Sequence, residues 1–317
     1  MSIKHKTFVS AVIYVRNVED IIGDMLKVLY GVLSENFEKF EIICVDDAST
    51  DTSNDVIINL SAKPVNGMLS IVHMSYYQGI EAAMRAGIDL AIGDFVFEFD
   101  DIAMDYEPDL IMQVYNRSLQ GFDIVSCGKG NLRASSKLFY SIYNRHSGTQ
   151  YALRSETFRI ISRRGINRTQ SMSVNIPYRK AMYSSCGLKT YYIEYKPNGS
   201  GGSHMQRLKN PHDTALTSLI LFTNVAYKVS LAFTITMMLV TFGTIGYVIT
   251  IYLMGIPIAG YTTMMILISG AFFALFAILA VVIKYLSVIL GLVFHRQKYV
   301  IEGIEIITID KNENGSE

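Results

Sequence analysis

Apolar positions in the first hundred residues alternate between two periods. Thr7–Val15 is β-branched and apolar almost throughout, as a strand buried on both faces of a parallel sheet would be. Glu19–Leu33 places Ile21, Ile22, Met25, Val28, Leu29 and Val32 at helical spacing. Glu41–Val45 predicts a second strand running into Asp46-Asp47, and Asp51–Leu60 a short helix. Leu69–His73 predicts a third strand and Ile80–Ile92 a further helix; Phe95–Phe99 predicts a fourth strand, ending in Asp100-Asp101. Strands alternating with helices at this spacing imply an α/β domain with a largely parallel sheet.

The pattern changes at Lys228. From there to Lys284 no Asp, Glu, Lys or Arg occurs, a stretch far longer than the about 20 residues that span a bilayer. Pro257, within Gly255–Gly260, interrupts it and predicts a turn between two spans, Val229–Met254 and Met264–Ile283, the second continuing through Leu286–Phe294. Lys228, Lys284, Arg296 and Lys298 bracket this transmembrane hairpin and the connecting loop is uncharged, so both ends belong in the cytoplasm. Met1–Lys6 leads directly into the first strand and does not read as a secretory signal. The expected organisation is a cytosolic domain over 1–210, a juxtamembrane segment over 211–228, the hairpin over 229–294 and a cytosolic tail over 295–317.

Charge adds a second division. The chain carries 28 basic and 28 acidic residues, and this balance excludes a generic nucleic-acid binder. Residues 1–110, however, hold 7 basic and 19 acidic side chains, a net of −12, and residues 111–228 hold 17 and 4, a net of +13. One half is suited to managing a cation, the other to meeting phosphates, including those at a lipid surface. The three cysteines, Cys44, Cys127 and Cys186, are too widely spaced for a disulfide framework or a metal knuckle, and fit a reducing compartment.

In open α/β sheets, ligands bind beyond the carboxyl ends of the strands. Asp46-Asp47 and Asp100-Asp101 fall at two such ends. Carboxylates are hard oxygen ligands for Mg²⁺ or Mn²⁺, ions that bridge protein to diphosphate. Period-two alternation puts Glu98 and Asp100 on one face of their strand, so Glu98, Asp100 and Asp101 are the candidate metal ligands.

Val45-Asp46-Asp47-Ala48-Ser49-Thr50-Asp51-Thr52 resembles the V-D-D-x-S-x-D-x-[ST] run of family 2 glycosyltransferases with the GT-A fold. Ser10–Asn17 resembles their first strand and loop, and Gly79–Gly87 followed by Ala91–Asp100 is similar to the segment that precedes their D-x-D motif. Ser136–Arg145 and Phe158–Arg164 resemble the polyprenyl-phosphate branch, which includes dolichol-phosphate mannosyltransferase and bacterial members with two C-terminal spans. The resemblance implies a GT-A, Rossmann-like nucleotide-sugar domain joined to the hairpin, catalysing inverting, metal-dependent transfer from a nucleotide-sugar to undecaprenyl phosphate. It places the protein as a multi-pass protein of the bacterial plasma membrane.

By the same resemblance, Tyr14, Asn17, Asp46, Asp47 and Asp100 line the donor pocket, with Asp100 and Asp101 at the reacting centre. Arg159, Arg163 and Arg164 face the acceptor phosphate, with Arg133 and Lys137 as lesser candidates; a spacing of four predicts Arg159 and Arg163 on one helical face. The motif departs from the family at Val18, where a Glu is usual, at Tyr77, where an Asn is usual, and at Lys196–His204, which lacks the usual Arg. Two alternatives stay open: a transferase extending a lipid-linked saccharide, for which Asp101 or Asp105 would act as base, and an inactive nucleotide-sugar-binding scaffold. Gly243 and Gly246 offer close-packing positions for a homo-oligomer. The tail after Lys298 alternates like a strand, fit either for an edge of the sheet or for another subunit.

Overall fold

The computed structural model describes residues 4–61, 67–130, 140–141, 143–145, 151–172, 178–198 and 299–307, together with individual positions between 232 and 289. The chain divides into two units: residues 1–144, 149–214 and 297–317 form one, and residues 145–148 and 215–296 the other. Among the described residues no helix is long and apolar enough to cross a membrane. Most of the two expected spans lies outside the described residues.

In the first unit the chain runs β1 (Val9–Val15), α1 (Ile22–Asn36), β2 (Phe40–Asp46), α2 (Ser53–Ser61), β3 (Met68–Met74), α3 (Ile80–Leu90) and β4 (Phe95–Phe99). It continues through α4 (Asp109–Ser118), β5 (Ile124–Lys129), β6 (Phe158–Ser162), α5 (Arg163–Gln170), α6 (Arg179–Ser185), β7 (Thr190–Tyr195) and β8 (Ile301–Ile307). The eight strands form one sheet in the order β7-β5-β6-β4-β1-β2-β3-β8. The β1–β2, β1–β4, β2–β3 and β5–β7 pairs are parallel. Strand β6 runs against both β4 and β5, and β8 runs against β3. The tail therefore closes a sheet edge of its own domain.

Central position explains the composition of β1. All seven of its residues are buried. Val9, Ala11, Ile13 and Val15 belong to the core shared with Met25, Leu29 and Leu33 of α1 and with Ile111 and Tyr115 of α4. The alternate residues face the layer of α3. There Gly87 lies so close to the sheet that a Cβ would stand 2.4 Å from Val12 Cγ1 and 2.6 Å from Val45 Cγ2. A glycine is needed at that close approach. Because β2 and β3 lie on one side of β1 and β4 on the other, the strand order reverses at β1 and opens a crevice at the carboxyl ends of β1, β2 and β4.

Candidate active site

Two loops meet at the ends of β1 and β2. Asp47, fully buried, accepts hydrogen bonds from Tyr14 Oη (2.9 Å), Gln78 N (2.8 Å) and Gly79 N (2.9 Å). Gly79 has φ +88°, a left-handed conformation that aims its amide at the carboxylate. Burial raises the pKa of Asp47 above the ordinary carboxylate value, against the opposing effect of these donors. Asp46 accepts from Ser49 N (2.9 Å) and Asn54 Nδ2 (2.7 Å), and His73 Nδ1 stands 3.6 Å away. Asn17 and Ala48 both have left-handed backbones (φ 48° and 55°), strain of the kind stored at functional loops. Asn17 Oδ1 accepts from Thr50 N at 2.8 Å. Arg16 donates to the carbonyls of Asp47 and Ala48 and lies over the exposed ring of Tyr77, 4.6 Å from its centroid. Tyr14, Asn17, Asp46 and Asp47 are thus brought together at one end of the sheet.

The end of β4 is different from the expected metal site. Glu98 and Asp100 do share a face, but that face is 0% and 4% exposed and filled by guanidinium groups. Arg159 donates to Glu98 Oε2 (3.0 Å) and Asp100 Oδ2 (2.6 Å), and Arg179 to Glu98 Oε2 (2.6 Å) and Asp100 Oδ1 (2.7 Å). Tyr183 Oη donates to Glu98 Oε1 at 2.6 Å, so all four carboxylate oxygens are taken. Glu81 holds Arg179 from behind at 2.9 Å, and Lys180 Nζ approaches Asp100 at 3.9 Å. Glu156 Oε2 lies 2.9 Å from Arg159 Nε without the alignment of a hydrogen bond.

A divalent cation at this pair would sit against two arginine charges, with every carboxylate oxygen already accepting a hydrogen bond, so Glu98 and Asp100 as arranged do not fit Mg²⁺ or Mn²⁺. Among the described residues no group of three His, Cys, Asp or Glu side chains is placed to hold a metal. Burial raises the pKa of Glu98 despite Arg159 and Arg179. Burial acts the same way on Asp100, but Arg159, Arg179 and Lys180 outweigh it and hold that carboxyl well below the usual range. Asp101 Oδ1 accepts from Ala103 N at 3.1 Å. Asp105 is bound by Lys129 Nζ (2.5 Å) and Tyr195 Oη (2.8 Å).

The expected acceptor arginines separate. Arg159 belongs to a strand, β6, not to a helix, and its neighbours are the carboxylates just described. Because β6 runs against β4, with Phe158 beside Phe99 and Ser162 beside Phe95, Arg163 and Arg164 fall at the opposite end of these strands. Four residues of strand put them about 13 Å away along β4. There Arg163 caps the carbonyls of Ala91 and Gly93, and Arg164 pairs with Asp123. They do not join Tyr14, Asn17, Asp46 and Asp47. Arg133 and Lys137 lie outside the described residues. Arg179, Lys180, Tyr183 and Gln78 were not legible from the sequence; the one available signal was a basic pair, Arg179-Lys180, beside apolar Ala181-Met182.

The mostly parallel sheet, with its switch point at β1 and aspartates at the ends of β2 and β4, fits the GT-A-like α/β fold that the sequence resemblance implies. The chain belongs to glycosyl transferase family 2, whose model matches residues 10–183. An uncharacterized glycosyltransferase of Synechocystis sp. is 25% identical over 316 residues, covering 95% of this chain and 98% of that one. An undecaprenyl-phosphate 4-deoxy-4-formamido-L-arabinose transferase of Photorhabdus laumondii is 27% identical over 135 residues, 43% of this chain and 41% of that protein. The chain thus matches less than half the length of that relative. Among solved structures, glucosyl-3-phosphoglycerate synthase from Mycobacterium tuberculosis, in complex with Mn²⁺, UDP and glucosyl-3-phosphoglycerate, shares the fold with a TM-score of 0.52 at 14% identity. That likeness covers 69% of this chain and 81% of the synthase.

Proposed function

We propose that the protein transfers a sugar from a nucleotide-sugar to a polyprenyl phosphate at the cytoplasmic face of the plasma membrane. The observation that carries this reading is the position of the apolar stretch. It lies between β7 and β8, two strands of one sheet, so the chain on both sides of it belongs to one domain. Any passage through a bilayer then has an even number of crossings. The partial relatedness to undecaprenyl-phosphate transferases supports the same acceptor.

The chemistry is a displacement at the anomeric carbon: an acceptor oxygen forms the new bond, the bond to the diphosphate breaks, and the nucleoside diphosphate leaves with its electron pair. A phosphate acceptor is ionised at neutral pH and needs no base. A sugar hydroxyl needs one. Of the two candidate bases, Asp105 is engaged by Lys129 and Tyr195, and Asp101 Oδ1 accepts from Ala103 N; Asp100 is held between two arginines. The engagement of Asp105 weighs toward a phosphate acceptor, which needs no base. Asp46, Asp47, Tyr14 and Asn17 form the donor side. No step is assigned to a cation at Glu98 and Asp100.

The test is a transfer assay on purified full-length protein in detergent. It crosses UDP-, GDP- and CDP-sugars with undecaprenyl phosphate, with Mg²⁺ or Mn²⁺ and with chelator. A lipid-phosphate sugar is the expected product. A product formed only on a lipid-linked saccharide would replace this reading with the chain-extending one, and donor binding without any transfer would replace it with the scaffold.

A further inference from the structure

Strand β8 is tied to the donor side by more than its ladder with β3. Gln78 pairs with the backbone of Val300 in both directions: its Nε2 donates to Val300 O at 2.6 Å and its Oε1 accepts from Val300 N at 2.9 Å. Val300 O also accepts from Ser75 N at 3.2 Å. The backbone amide of the same Gln78 donates to Asp47 Oδ1. One residue away, Gly79 donates to the other oxygen of Asp47. A second link runs beside the first: His73 stands between Asp46 Oδ2 and Glu305 Oε2 of β8, 3.6 Å from each. The residues that follow the apolar stretch thus reach both donor-side aspartates through one intervening residue each, Gln78 for Asp47 and His73 for Asp46.

We propose that Gln78 is a positioning residue for donor binding, clamped by Val300 so that its amide fixes the Asp47 carboxylate. The geometry is specific to an amide side chain. It needs one donor and one acceptor on a planar group, which Glu, Leu or Met does not supply. The loop from Ser75 to Gly79 has no helix or strand of its own. Its conformation is set by Asp47 on one side and Val300 on the other. Without the clamp, the two amides that hold Asp47 sample a wider range, and donor affinity falls while the chemical step does not change.

The proposal rests on Asp46 and Asp47 being the donor side, and the experiment separates the two claims. Full-length protein in detergent is titrated by calorimetry with UDP, GDP and CDP, and donor KM and kcat are measured for whichever sugar donor is used. Gln78→Met keeps the backbone amide and removes both bonds to Val300. It is expected to weaken nucleotide binding about tenfold, as one such pair permits, with donor KM rising in step and kcat and acceptor KM within twofold of wild type. Glu305→Gln, at a half-exposed position, guards against a folding defect and is expected to weaken binding two- to threefold. Tyr299→Phe removes a neighbouring tail contact, to Asp89 Oδ2, and should change nothing. Wild-type affinity in Gln78→Met, with binding lost in Asp47→Asn, overturns the proposal and keeps the site. Unchanged binding in Asp47→Asn overturns the donor-site reading and the proposal with it.

Discussion

Replacing Arg159 by methionine removes a positive charge from a place where water cannot substitute for it. Arg159 is fully buried and bridges Glu98 and Asp100 at 3.0 and 2.6 Å. After the change Glu98 keeps Arg179 and Tyr183, and Asp100 keeps Arg179 with Lys180 at 3.9 Å. Two carboxylates then share essentially one guanidinium. Removing one partner of a buried pair costs about 3–5 kcal/mol. For a domain of this size each kcal/mol lowers Tm by about 2–4 °C, which gives a drop of about 6–20 °C. Asp100→Asn should also destabilise. The double variant should fall short of the sum of the two by about 1–3 kcal/mol, since each removes what the other had left unpaired. The chain has no tryptophan, but Cys44, Cys127 and Cys186 are all buried in the catalytic domain, so a thiol-reactive dye reports its melting directly. An Arg159→Met melt within about 1 kcal/mol of wild type, or strict additivity in the double variant, would refute the network.

Gly87→Ala forces a methyl into Val12 and Val45 and should cost about 1–3 kcal/mol by overpacking, read in the same melt. Arg163→Met removes bonds to Ala91 and Gly93 at the far end of the strands, so Tm should drop while donor and acceptor KM stay unchanged; a raised acceptor KM would return Arg163 to the acceptor site. The folded pKa of Asp100 is depressed, so its contribution to stability is present above its unfolded value of about 3.9 and fades as pH falls through the folded one. Acid unfolding of Asp100→Asn should therefore show a shallower slope below about pH 4 than wild type.

Much of the α/β frame was legible because its strands and helices are local. The expected fourth strand, Phe95–Phe99, matches β4 residue for residue, and the first three strands lie within two residues of β1, β2 and β3 at each end. The acidic pairs were legible as well, since a strand's end is visible in its pattern. Long-range pairing was not. A spacing of four made Arg159 and Arg163 look like one helical face, yet Phe158-Arg-Ile-Ile-Ser162 is a strand that buries its single charge against β4. Glu98 and Asp100 read as metal ligands because the sequence shows carboxylates and not their counterions. Arg179 reaches them from α6, 79 residues beyond Asp100 in the chain. Likewise the alternation in Ile301–Ile307 identified a strand without naming its partner.

That last strand sets an order on how the molecule is made. Ribosomes deliver β1 to β7 first, then residues 199–298, and only afterwards the seven residues that cover the open edge of β3. Until then β3 presents unpaired backbone groups, the usual template for unwanted pairing between chains. The apolar stretch is synthesised, and must be handed to a membrane or shielded, before the sheet that flanks it can be finished. Closing a sheet across so long an interval is slow, because the chain entropy is lost before the contacts repay it. If the apolar stretch enters a bilayer, as the proposed function requires, its insertion and the completion of the sheet belong to one sequence of events.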